Sequence, residues 1–511
     1  MNRDKQKGVA LALALLLLLI LSVIAVSLMF LSQTETWASM NYKLICQARD
    51  AAESGINAAA NYLMYSYTPP ATAGADPLSG YNNNTSPVQY PAGNTRLHDV
   101  VLATSNSHQS SNYPLSSAVS AFSAAAQGTL TAGSTTLNYS SYAKLLSQRQ
   151  VLPYGTTTYQ TVQTWQITSD GTTNGVRSAL EEVSAILEKQ VTPVFVYAAF
   201  ATANGCGALN FGGGGGTASY DSANLTLSGG VPVLVNGGGN VGTNGNLAEN
   251  GNPTTINGSL FTPRTGVGTC TSGNVTAWTN SSGHVTGGLI ELPQQVVYPN
   301  PQPPTPAPPT TSQTLNNSAG DCAGVAGCTY GTGPAPGGNG CPSGDFCLAP
   351  GSCPPTAGGN GLVGNLTIKG TVHLSGGCYN VNSLTENAHG QLTIDTGPVV
   401  VNIAGAGQST PLDLTGNGLI NNVGFNASML QILYAGTGAI NIKGGANAVG
   451  VLYAPNATLS FNSAGGNWYG AVITGSMSDL GHAQIDYDMN LQRQDVTVSA
   501  WMLDSFTWKK N

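Results

Sequence analysis

From Val9 to Leu31 the chain is almost unbroken Leu, Ala, Val and Ile, only Ser22 and Ser27 are polar, and no charge falls between Lys7 and Glu35. At about 1.5 Å per residue this run is long enough to cross a bilayer. It is longer than a secretory signal core, and only "ASM" after Trp37 offers a poor cleavage site of that kind. Polar positions then enter at helical spacing. Trp37, Met40, Leu44, Ala48, Ala51, Ala59 and Leu63 mostly recur every third or fourth place until Pro69 and Pro70 stop the pattern. Gly55 alone weakens it, so one helix of roughly 60 residues is predicted, membrane-spanning in its first half and amphipathic in its second.

Residues 70–150 lack long apolar runs and read as irregular, with a short helix within 115–128. Tyr159, Thr161, Gln163, Trp165 and Ile167 then share one face of a strand, and Asp170–Gly171 reads as the following turn. The next element is ambiguous: Val176, Ala179, Leu180, Val183, Ile186 and Leu187 fit a helical repeat.

Beyond Pro193 short alternating patches are separated by Gly and Asn, interrupted by a proline- and cysteine-rich stretch over 291–362, a linker or a surface strap. The patches resume from Val363. "GVLYAPN" from Gly450 and "GAVITGS" from Gly470 lie 20 residues apart, and "AINI" from Ala439 and "ATLSF" from Ala457 lie 18 apart. Short strands at that spacing predict coils of a parallel β-helix, a solenoid with Gly and Asn at its corners; a β-sandwich also accommodates them. The last residues, 495–511, alternate and read as a terminal strand or cap.

Composition narrows the chemistry. Charged residues are 8% of the chain, net charge is −7, and 16 Lys and Arg form no basic stripe, which argues against nucleic-acid binding. Of nine cysteines, Cys206, Cys270, Cys322, Cys328, Cys341, Cys347, Cys353 and Cys378 lie beyond residue 200. Behind an apolar leader this set suggests disulfides in an oxidising compartment, with the pairing open. C-x5-C spacing without nearby His does not suit zinc. Cys46, alone on the helix, reads as a small buried residue rather than a lipidation site.

No catalytic motif is present, and Gly212–Gly216 lacks the Lys-Ser/Thr of a phosphate loop. Where His482, Asp486 and Asp488 approach one another, the two aspartates share a strand face and form a weak ligand or metal candidate; a polar solvent face opposite Ile485 and Tyr487 is the plainer reading. Tyr453, Trp468, Tyr469 and Tyr487 are candidates for stacking on sugars, equally placed to pack in a core. No metal, cofactor or catalytic residue is expected.

"KGVALALALLLLLIL" with "QARDAAESGINAAANYL" resembles the PilX-type amino-terminal region of type IV pilus minor pilins. The resemblance implies a class III leader, residues 1–8, cut by prepilin peptidase between Gly8 and Val9. It also implies a helix over 9–67, a pilin-like head over 70–192, and strands rather than a helix on both sides of Asp170–Gly171. Ordinary pilins carry Glu at the fifth mature position; Leu13 stands here, without the carboxylate that docks a neighbouring subunit. "VGVLYAPNATLSFN", "WYGAVITG" and "GHAQIDYDMNL" are similar to carboxyl-terminal β-helical regions of large PilX-like surface proteins, with Asp486 where His would stand.

The expected fold is therefore α+β: a long pilin-type helix with a small β head, then a mainly-β parallel β-helix in two parts, 193–290 and 363–494. The implied function is that of a minor pilin displaying a β-helical head for filament assembly or priming and surface adhesion. Its partners would be prepilin peptidase, other minor and major pilins, the inner membrane, and surface glycans, with no nucleic acid. The chain would start in the inner membrane with a cytoplasmic amino terminus, as Arg3, Lys5 and Lys7 favour, and end on the pilus or cell surface. The alternative is a single-pass, surface-anchored β-helix protein that binds or cleaves carbohydrate.

Overall fold

The computed structural model describes residues 4–69, 80–90, 98–133, 135–174, 177–250, 254–279, 284–332, 341–387, 389–415, 419–421, 424–442, 448–461, 466–479 and 483–510. The chain forms two compact units, Met1–Gln150 with Thr161–Gln190 and Ser499–Asn511, and Val151–Gln160 with Val191–Val498.

In the first unit, helix α1 runs over Asp4–Asn61 and ends in a π-helical turn, Tyr62–Ser66. Its two halves differ as the sequence pattern requires. The large apolar side chains from Val9 to Leu31 are 47–66% exposed, whereas Ala48, Ala51, Ala52, Ile56, Ala59 and Leu63 are fully buried. The buried face packs with Trp165, Ile167, Val183, Ala185 and Leu187 of a six-stranded sheet. That sheet orders Val101–Ala103, Thr135–Val151, Gln160–Asn174, Leu180–Pro193 and Val496–Lys510 side by side, with Gln127–Ala132 as a hairpin on Thr135–Val151. A short helix, Ser116–Ala125, adds Ala118 and Phe122 to the core.

One local expectation is corrected here. Asp170–Gly171 is not a turn: both residues lie inside the strand Gln160–Asn174, opposite Glu182 and Glu181. Of the two readings of the next element the strand is the one observed: Leu180–Pro193 is antiparallel to Gln160–Asn174 and buries Val183, Ala185 and Leu187 in alternation, while Val176 lies outside the described residues. Its period-two subset of apolar residues meets the sheet and α1, and that burial overrides the weaker three-and-four spacing.

The second unit is built from short strands paired mostly in parallel. In one ladder Leu289, Leu260, Val241, Ala199, Val472, Leu452, Ile432, Val401 and Tyr379 stand on one another in that order. A second runs Leu247, Leu209, Met477, Leu459, Ile440, Leu412, Leu384 and Leu366. A third set stacks Phe346, Val372 and Leu392, with the strand Leu419–Asn421 paired next in register, and a hairpin partner, Cys328–Tyr330, joins Phe346–Leu348 in antiparallel fashion. Aliphatic side chains thus stack on like side chains, the most compact way to remove them from water in a parallel sheet.

Gly450 pairs directly with Gly470, in the register read from the repeat; the other pair is shifted by one, Ile440 meeting Leu459. The stacking order does not follow the sequence: Ala199–Ala201 pairs with Val472–Thr474, so the early strands sit against the last ones. The proline-rich stretch makes the return. Val296 bonds the side chain of Asn244, Tyr453 donates to the Pro299 carbonyl, and Asn380 and Asn365 donate to those of Pro306 and Thr310. Proline has no N–H but keeps its carbonyl, so side-chain donors are what can hold such a strap.

Four disulfides fall in this unit: Cys206–Cys270, Cys322–Cys328, Cys341–Cys347 and Cys353–Cys378, while Cys46 is free. Replacing Cys322 and Cys328 by Ser opens a six-residue separation and is expected to cost about 2 kcal/mol. Denaturant unfolding of the double variant against the native protein measures it; equal midpoints would contradict it.

Candidate functional site

The amino-terminal helix, the Asp486 and Asp488 pair and four aromatic side chains are the places where the sequence offered candidates. Gly8 and Val9 are both helical in α1, and Leu13 lies 62% exposed on the bare apolar half. The polar groups within the apolar run are satisfied inside the helix: Ser22 Oγ donates to Leu19 O and Ser27 Oγ to Val23 O, each at 2.8 Å. This is what a lipid environment requires, since nothing there replaces water as a partner. The helix is long and apolar enough to cross a membrane. Where the apolar run ends, the Arg177 guanidinium lies 3.4 Å from the centroid of the Trp37 ring and donates to Asn41. That cation–π contact marks the changeover from bare helix to packed helix.

Asp486 and Asp488 are not on a solvent face: both are fully buried in the strand Gln484–Asp488. Asp488 accepts three backbone N–H groups, from Ser222, Ala427 and Asn490, and so ties separate loops together. Among the described residues Asp486 accepts from Asn467 Nδ2 alone, at 3.0 Å, and its second oxygen has no hydrogen-bond partner; burial lifts its pKa to about 7. Burial raises Asp488 in the same direction. A carboxyl held at the edge of protonation by an apolar surround is a poor cation ligand, and Asp488 is already saturated with donors. His482 lies outside the described residues.

Among the described residues, the group of three His, Cys, Asp or Glu side chains with mutually close ligand atoms is His108, Asp170 and Glu182, within 4.8 Å. His108 Nδ1 is 2.8 Å from Asp170 and sits where two opposed carboxylates would otherwise repel.

Of the two readings left open for the aromatic candidates, core packing is the one observed. Tyr453, Trp468, Tyr469 and Tyr487 are 1–2% exposed, and Tyr487 donates to the buried Phe195 carbonyl. Alternation locates a side chain on a strand face but does not say whether a second layer covers that face, and here it does. A cluster the sequence did not disclose is His373, held between Asp395 at 2.9 Å and Asp345 at 3.2 Å. His373 and Thr393 are register partners, which places Asp395 beside the imidazole; only the register reveals it.

The described residues thus combine one helix of membrane length, half bare and half packed on a sheet, with a mostly-β body. Residues 7–57 match the PilX N-terminal family. Residues 364–494 match a domain of unknown function, DUF7305. No curated protein matches the chain. Among solved structures, the competence-associated pilin ComZ from Thermus thermophilus aligns at 13% identity over 75% of this chain and 88% of that one, with a TM-score of 0.24.

Proposed function

We propose that the protein is a minor pilin-like subunit of a type IV pilus system, cut by prepilin peptidase between Gly8 and Val9. Its bare helix enters the filament core and its large head is displayed outside for assembly or priming and for surface adhesion. The observation that carries this is the overlap of the PilX match, 7–57, with a helix whose apolar half is fully uncovered and whose other half anchors a folded sheet. The head is read as a parallel β-helix, supported by its stacked parallel ladders and by the direct pairing of residues 20 apart. Leu13 supplies no charge for a subunit stacked on it, which favours the filament tip, and a disulfide-tied body suits exposure outside the cell. The subunit acts by assembly and contact, without catalysis.

Amino-terminal sequencing of protein recovered from sheared filaments is the test. A start at Val9 is expected; an intact Met1, or a chain found whole in membranes and missing from filaments, would sink the reading.

A further inference from the structure

On the face of the six-stranded sheet turned away from α1, His108, Asp170 and Glu182 bring three ligand atoms within 4.8 Å of one another. The backbone sets two of them. Gly171 abuts α1 at Ala48 and Ala52, so its neighbour Asp170 points to the opposite face, and Glu182 stands directly across from Asp170 in register. Val183, Ala185 and Leu187 turn inward with the buried face of α1, which leaves Glu182 on the same outer side. The third ligand comes from the loop that follows Val101–Ala103. The His108 ring is held there edge-on to Tyr142, with centroids 5.1 Å apart.

Like charges directly opposite on a sheet repel, and Asp170 is only 15% exposed, so water screens the pair poorly. Among the described residues no Lys or Arg forms an ion pair with either carboxylate; Lys144, two residues from Tyr142, is joined to Asp99 at 3.3 Å. What meets them is an imidazole, 47% exposed, with Nδ1 2.8 Å from Asp170. An ammonium would be a plain counter-charge, whereas an imidazole beside two carboxylates is a set of metal ligands.

We propose that His108, Asp170 and Glu182 bind a divalent transition cation, Zn2+ by its chemistry, which fastens the loop after Ala103 to the strands Gln160–Asn174 and Leu180–Pro193. One nitrogen and two oxygens suit Zn2+, whereas Ca2+ and Mg2+ favour oxygen alone and more of it. Donors about 2.0–2.1 Å from a tetrahedral Zn2+ stand about 3.4 Å apart, so the three close by roughly 1.5 Å at most. Side-chain rotation of the half-exposed His108 and of the long Glu182 covers that distance. Water completes the coordination on the open side that the exposure of His108 leaves. The site lies within the first unit and apart from the apolar half of α1, so its test and that of the pilin reading fail separately.

The full-length protein in lipid nanodiscs, stripped with a chelator, is titrated with ZnCl2 by calorimetry, with empty nanodiscs subtracted and with CaCl2 and MgCl2 as parallel probes. Saturable binding of one Zn2+ per chain, tighter than either other ion, is expected, and added Zn2+ should raise the Tm of the first unit. His108→Ala and Glu182→Gln should each weaken binding at least tenfold and abolish the Tm rise. Glu182→Gln keeps the shape of the side chain and relieves the like-charge pair, so the fold survives it. His98→Ala, at an exposed histidine of the same unit, should leave binding unchanged. Absence of saturable Zn2+ binding, Ca2+ or Mg2+ bound as tightly, affinity unchanged in Glu182→Gln or in a folded His108→Ala, or an equal loss in His98→Ala would overturn the proposal.

Discussion

Asp486→Asn is expected to make the β body about 3 kcal/mol more stable than the native protein at pH 8, with the advantage gone below about pH 4. The carboxyl is buried beside Asn467 with one oxygen unpaired, and burial lifts its pKa from 3.8 to about 7. A tenfold change in proton affinity is worth about 1.4 kcal/mol, so forcing the fold to hold the ionised form at pH 8 costs about 4 kcal/mol. The amide also keeps the acceptor for Asn467, but it turns an N–H toward the place where the native oxygen has no partner, returning about 1 kcal/mol.

The sign follows from proton counting. Between about pH 4 and pH 7 the folded chain holds a proton on Asp486 that the unfolded chain has released, so native stability contributed by this group falls as pH rises through that window. Burial shifts Asp488 and Asp495 upward too, whereas Asp221 and Asp321 are lowered and act oppositely. For that reason the difference between variant and native is the quantity to follow, by urea unfolding at pH 4 and pH 8. A difference that does not grow with pH would show that Asp486 is ionised in the fold without cost.

That carboxyl also marks a boundary of what the sequence discloses. The apolar run from Val9, the amphipathic continuation to Leu63 and the Gly450–Gly470 register were legible because each rests on a local period. Asp486, Tyr453 and Trp468 were not, since their burial depends on distant segments: Asp486 lies between Ala218 and Tyr469 of neighbouring strands, and Tyr453 under the strap at Pro299. The junction of Ala199 with Val472 was equally hidden, because a parallel ladder carries no mark of which strand comes next. Residues 135–151, a long strand in the structure, alternate too weakly among Ser, Tyr and Asn to stand out from irregular chain. The cysteines declared a disulfide framework, but the pairing came only from the fold.

Asp170–Gly171 shows how a local signal can be true and misassigned, and it leads to the second large effect: Gly171→Ala is expected to destabilise the first unit by about 3 kcal/mol. An Asp-Gly pair ordinarily signals a turn because Gly tolerates backbone that other residues avoid. Here the glycine is required by space. A Cβ at Gly171 would come within 1.9 Å of the Ala48 carbonyl oxygen and 2.5 Å of the Ala52 nitrogen, both backbone atoms of α1 that no rotamer change can move. Helix and strand must separate, and the fully buried Ala48, Ala51 and Ala52 lose part of their contact with the sheet. Gly55, on the helix side of the same interface, provides the control. Its Cβ would meet Ser169 Oγ at 2.1 Å and Ser141 Oγ at 2.8 Å, side-chain atoms that can turn away at the expense of their mutual 2.9 Å hydrogen bond. Gly55→Ala should therefore cost only about 1 kcal/mol. Hydrogen exchange across 161–174 and 180–190 reads both: a large loss of protection in Gly171→Ala against a small one in Gly55→Ala is expected, and equal protection in the two would mean that this strand does not depend on close approach of α1.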